Sequence, residues 1–171
     1  MNHIKTSTTI ALSLLLVAFS VSAALTQSDK GKEMSERHKS NVANVVKDLT
    51  DLAGKDKNIG EDVRAVAEEQ ESSNERATKA IQAVEARGGF KTFLIGTDYK
   101  NIGALRSEVV TTQNSIDRLT KAKERAIDDS VKADLDTQIK ALEETNTNAL
   151  NFIKTNESKF SVFGWFVRLF Q

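Results

Sequence analysis

The feature that most limits what this chain can become is a seven-residue apolar repeat, carried by long stretches in a sequence without a single proline. Proline lacks the backbone N–H and clashes with the preceding turn, so its absence leaves helices uninterrupted. Abundant Ala, Lys, Glu and Gln favour the same outcome. In one stretch Ile102, Leu105, Val109, Thr112, Ile116, Leu119, Lys123 and Ala126 alternate in steps of three and four. The next repeats the pattern with Leu135, Ile139, Leu142, Asn146, Ala149, Ile153, Asn156 and Phe160. Such a seam is how one helix packs along another. Between the two stretches lies Asp128-Asp129-Ser130, a short polar link with capping residues, which makes the two helices antiparallel neighbours. Folding about this link brings Leu119 towards Ile139 and Ile116 towards Leu142, with Thr112 opposite Asn146.

The first half repeats the arrangement with smaller side chains. His38, Val42, Val45, Leu49 and Leu52 form one stripe. Ile59, Val63, Val66, Gln70, Ser73, Ala77, Ala80 and Val84 form the next, stopped by Gly88-Gly89. Asn58, with Glu61 three residues on, reads as the helix start. The expected fold is all-α: two antiparallel helical hairpins, forming a four-helix bundle or an elongated coiled coil. A seam of Val and Ala buries less area than one of Leu, so the first hairpin is the weaker half and leans on the second. The outer faces carry acid-to-base pairs four residues apart, Glu33/Arg37, Glu75/Lys79, Asp117/Lys121 and Asp136/Lys140, which read as solvated helix faces.

Three segments depart from this pattern. Residues 1–23 read as a signal peptide: Lys5, an apolar run from Ile10 to Val21, then the small residues Ser22 and Ala23 before the expected cleavage. An uncleaved anchor is the competing reading. The connection between hairpins is an apolar, glycine-rich loop that includes Phe90, Phe93, Leu94, Ile95 and Tyr99, and the first four of these are expected to plug one end of the bundle. Thr97 and Asp98 are its candidate caps for the third helix. The body, residues 24–158, is followed by an aromatic tail, 159–171, that holds the sole Trp and four of the eight Phe.

That tail is too short to span a bilayer, which takes about 20 apolar residues. On a helix, Phe160, Phe163, Phe166 and Phe170 would form one stripe, with Trp165 and Leu169 in a second beside it. Only Ser161, Gly164 and Arg168 relieve the apolar surface. Three readings stay open: docking on its own bundle, lying in a membrane interface, or binding a protein partner or a second copy of the chain.

Chemistry is sparse elsewhere. His38, the one histidine of the body, falls on an apolar stripe opposite Gln70 and Ser73, where a hydrogen-bonded polar layer is the plain reading. Gln70, Thr112 and Asn146 read as polar layers that set register, at a cost in stability. No further His or Cys accompanies His38, so no metal and no cofactor are assigned. No nucleophile motif, phosphate loop or acid–base pair points to catalysis, and the expectation is a non-enzymatic protein. With 24 basic and 24 acidic residues interspersed, the chain is poorly suited to nucleic acid. The absence of Cys leaves stability to helix packing.

Phe93 to Glu108 and Lys159 to Phe170 resemble segments of short, exported, helical bacterial proteins with an aromatic C-terminal tail. The resemblance covers the second hairpin and the tail and implies an envelope or secreted protein. It brings no catalytic or binding residues. The expected function is an exported envelope protein, periplasmic, secreted or peripherally membrane-bound. Its helical body would serve as an interaction or spacer module, and its tail would attach to a membrane surface or partner. The alternatives are a soluble periplasmic binding or chaperone-like bundle with a folded-back tail, and a membrane-active secreted effector.

Overall fold

The computed structural model describes residues 32–88, 92 and 96–157. Its elements are α1 (32–53), α2 (Gly60–Ala86), α3 (Tyr99–Arg125) and α4 (Asp129–Glu157). The last three run 27, 27 and 29 residues, so each is about 40 Å long at 1.5 Å per residue. No strand occurs among the described residues, and the all-α expectation holds.

The hairpins lie side by side. Leu49 and Leu52 of α1, Val63 and Val66 of α2, Ile116 and Leu119 of α3, and Leu135 and Leu142 of α4 are buried in one cluster. Hairpins stacked end to end could not share a core in this way. Polar bonds trace the order of the helices around the ring. Asn74 of α2 donates to the Lys39 carbonyl of α1 at 3.1 Å, and Arg76 of α2 pairs with Glu108 of α3 at 2.7 Å. Lys123 of α3 pairs with Asp136 of α4 at 2.6 Å, and Gln138 of α4 donates to Asp48 of α1 at 3.2 Å. The ring therefore closes as an up-down-up-down bundle, with short links from α1 to α2 and from α3 to α4.

α3 and α4 bury more than the single seam read from the sequence. Beside Leu105, Thr112 and Leu119, α3 also buries Glu108, Ser115 and Ala122. Beside Leu135, Leu142 and Ala149, α4 also buries Gln138, Thr145 and Phe152. These second stripes repeat every seven residues too. A helix with one partner needs one stripe, whereas a helix with a neighbour on either side needs a wider face. Most of the added residues are polar or small, so hydropathy alone marks them as surface.

One end of the bundle is closed by two tight links that a single carboxylate ties together. Asp56 Oδ1 accepts from the Asn58 amide at 2.8 Å, and Oδ2 accepts from the Ile127 amide at 3.0 Å. Asn58 is not the helix cap expected from its spacing to Glu61. It donates its side-chain amide to the Arg125 carbonyl at 2.8 Å, and Ile59 holds the N-cap position without a side-chain bond. Gly60 is required here by space. A Cβ on it would lie 2.4 Å from the Ala53 carbonyl oxygen, so only glycine lets α2 start so close to the end of α1.

The other end holds the start of α1, the end of α2 at Arg87 and Gly88, the start of α3 and the end of α4. Gly88 adopts a left-handed φ of 68°, which ends α2 as its position after the last helical turn predicts. Asp98 caps α3 by accepting from the Asn101 amide at 3.3 Å, as expected. Thr97 donates to the Asn156 carbonyl at 3.1 Å and Arg106 pairs with Glu157, so the start of α3 is tied to the end of α4. On the outer faces Glu33/Arg37 and Glu75/Lys79 pair within their helices. Asp136 instead reaches across to Lys123, and Asp117 accepts from Gln113 at 3.1 Å.

Candidate functional site

Two apolar clusters fill the bundle, and a polar belt separates them. The first, toward the tight links, draws on all four helices. The second, toward the termini, is built from Ala77, Ala80, Ile81 and Val84 of α2, Ile102 and Leu105 of α3, and Ala149, Phe152 and Ile153 of α4. From α1 it receives only the half-buried Met34.

The belt is a network between α2 and α3. Gln70 Nε2 donates to Ser115 Oγ at 3.0 Å, and Thr112 Oγ1 donates to Gln70 Oε1 at 3.4 Å. Ser115 Oγ donates to Glu69 at 3.2 Å, and Arg118 donates to the same carboxylate oxygen at 3.0 Å. One turn further along, Arg76 donates twice to Glu108, Nε to Oε1 at 2.7 Å and Nη2 to Oε2 at 2.9 Å. Ser73 Oγ adds a third bond to Glu108 at 2.9 Å. Each helix thus offers one carboxylate and one arginine to the other. A bidentate guanidinium–carboxylate pair has a narrow geometry, so it fixes register as well as charge.

Beside this network lies a cavity lined from all four helices. Its walls include His38 of α1, Gln70 and Ser73 of α2, Glu108 and Thr112 of α3, and Thr145 and Asn146 of α4. It is narrow and partly open to solvent, with room for about one water molecule. The four polar seam residues expected from the sequence, His38, Gln70, Thr112 and Asn146, all border it. Thr112 and Asn146 are not an isolated pair, because Thr112 bonds Gln70 across the α2–α3 seam. His38 and Thr145 also line a smaller cleft of about 180 Å³ between α1 and α4, with Met34, Arg37, Asn41 and Asn148. His38 therefore stands between an outer cleft and an inner cavity.

The electrostatics here are uneven. Glu108 is 8% exposed, and its carboxylate is occupied on both oxygens by Arg76 and Ser73. Opposite it, His38 Nδ1 and Asn146 Oδ1 are buried and make no hydrogen bond among the described residues; Ser35 Oγ, one turn before His38, is in the same position. Removal from water pushes the His38 imidazole below its ordinary value of 6.5, which favours the neutral ring. Hydropathy along the sequence does not single out Glu69, Ser73's partner Glu108, or Ser115. The seven-residue spacing of Glu108, Ser115 and Ala122 is a signal that could have found Glu108 and Ser115, but not Glu69.

Phe90, Phe93, Leu94 and Ile95 lie outside the described residues, as do the tail residues Phe160, Phe163, Trp165, Phe166, Arg168, Leu169 and Phe170 and the whole of 1–31. Tyr99, grouped with the apolar connection, opens α3 and is 69% exposed. Among the described residues no cluster of three or more His, Asp or Glu is placed to hold a metal ion. No helix among them is long and apolar enough to cross a membrane. Comparison of the chain with protein families, characterised proteins and solved structures gives no match.

Proposed function

We propose that this chain is an exported, non-enzymatic envelope module. Its helical bundle serves as a rigid spacer or interaction body, and its aromatic C-terminal tail attaches it to a membrane surface. The observation that supports this is a division of apolar surface. The described bundle spends its apolar faces on itself, in two clusters closed by its own helices. Its large exposed apolar side chains, Tyr99, Val110, Ile127 and Leu150, fall at separate places along the bundle. Outside the described residues and the first 23, large apolar side chains gather at Phe90 to Ile95 and, in greater number, in the stretch that follows α4. Burying each such side chain is worth about 1.5–3 kcal/mol before ordering costs, which is ample for interfacial binding. Lys154, Lys159 and Arg168 flank the aromatic residues and suit an anionic lipid surface.

Trp165 is the only Trp, so its fluorescence tests the reading directly. Adding vesicles of mixed neutral and anionic phospholipid should shift its emission to the blue and carry the protein into the sedimenting fraction. Deleting Phe160 to Gln171 should leave the protein in the supernatant with its helical content intact. An emission spectrum already blue before lipid, and unchanged by it, would assign the tail to its own bundle. Loss of bundle stability on deletion would say the same, and either result would overturn the attachment reading.

A further inference from the structure

The N-terminal half of α1 is the most weakly held part of the described bundle. From Val45 to Ala53 this helix contributes Val45, Leu49, Leu52 and Ala53 to the first cluster. From residue 32 to 41 its inward positions are Met34, Ser35 and His38, of which only Met34 packs on an apolar cluster. Ser35 and His38 each bury a polar atom without a hydrogen bond among the described residues. The bond from Asn74 to the Lys39 carbonyl is the direct polar tie to α2 in this half.

We propose that His38 is a proton-operated latch: protonating its imidazole releases residues 32–41 of α1 and opens the second apolar cluster, while Val45 to Ala53 stay anchored. The charged groups around His38 give an imidazolium nothing to bind. On α1 itself, Arg37 adds like charge and is paired with Glu33. From α2 the cavity receives Gln70, Ser73 and Asn74, none of which ionises. From α3 comes Glu108, whose two oxygens are already taken by Arg76 and Ser73. From α4 come Thr145 and Asn146, and Asn148 in the outer cleft, again without charge. A buried cation without a partner is costly, and the outer cleft gives α1 a route by which His38 reaches water.

The sign follows from the neutral buried state. The unfolded or released imidazole takes up a proton near 6.5, while the docked ring does so only at lower pH. Docking of α1 is therefore at full strength above 6.5 and weakens as pH falls below it. The release constant rises by up to about tenfold per pH unit, because one proton is taken up. Free carboxylates ionise near pH 4 and free imidazoles near 6.5, so the interval from 7.5 to 5.5 addresses the histidines, and His38→Gln separates His38 from His3.

Opening bares Ile81, Leu105 and Ile153 at the bundle end from which the tail departs. The latch does not depend on the tail's binding to lipid, so the two readings fail separately. Amide hydrogen exchange on the full chain, corrected for the intrinsic effect of pH, tests it. Between pH 7.5 and 5.5, amides of residues 34–41 should lose up to about tenfold protection relative to α3. The His38→Gln chain should lose none of this. Equal loss in α1 and α3, or the same loss in His38→Gln, would overturn the latch. Should His38→Gln fail to fold, the imidazole titration of the full-length His3→Gln chain, followed by NMR, decides instead. A His38 midpoint below 6.5 supports the latch, and one at or above 6.5 overturns it.

Discussion

The two ends of this bundle are built to different standards. At the end of the tight links, four helices interdigitate Leu, Ile and Val, and Asp56 bonds both links at once. At the terminal end, three helices form the cluster, Ala occupies several of its positions, and α1 adds only Met34. Side-chain size explains part of the contrast, since stabilisation scales with apolar area removed from water. The rest comes from satisfaction of polar groups. Asp56 has a donor for each oxygen, whereas Ser35, His38 and Asn146 bury atoms without one among the described residues. Within the first hairpin, apolar packing is sparsest in the first half of α1. A single bundle can hold one firm end and one that opens at low cost, as local unfolding in other proteins requires of moving parts.

Truncation should expose the contrast most strongly. Leu49→Ala removes a side chain with no solvent exposure from the four-helix cluster and should cost about 2–5 kcal/mol. Met34→Ala at the other end should cost about 1 kcal/mol or less, because its side chain is half-buried. Denaturant unfolding of both variants reads the difference, and equal costs would break the comparison.

The glycines sharpen it next. Gly60→Ala forces a methyl against the Ala53 carbonyl and should destabilise by about 1–3 kcal/mol. Asp56→Ala should cost about 1–2 kcal/mol, since two loop amides lose their acceptor. Gly103, in α3 at the terminal end, meets nothing within 4 Å, so Gly103→Ala should stabilise by about 0.5–1 kcal/mol through helix entropy alone. Thermal melts of the three variants should fall in that order. A destabilised Gly103→Ala would mean that this end is packed as tightly as the other.

Much of the fold is legible in the order of the residues. Leu105, Thr112 and Leu119, like Leu135, Leu142 and Ala149, are buried, while Val109 and Lys123 of the first stripe are half-buried, and the Asp98 cap and the Gly88 stop lie where their spacing puts them. The polar seam positions His38, Gln70, Thr112 and Asn146 are legible as a set, because polar residues stand out on an apolar stripe. Their partners are not. Glu108 and Arg76 look like members of solvated faces until α2 and α3 meet, and Asn58 looks like a cap until the Arg125 carbonyl is beside it.

The sequence by itself determined the helices, their inward stripes and the antiparallel sense of each hairpin. These depend on periods of three and four residues and on link length, which are local properties of the chain. The tertiary structure alone decided that the hairpins lie side by side, that α3 and α4 bury a second stripe, and that one cavity draws its polar walls from all four helices. Those outcomes depend on how each helix is rotated about its own axis towards neighbours 32 to 90 residues away in sequence, as in Arg76 with Glu108 and Gln138 with Asp48. Rotation is a compromise among all the neighbours at once. A charged residue beside the seam is therefore solvated or buried according to which helix comes to cover it.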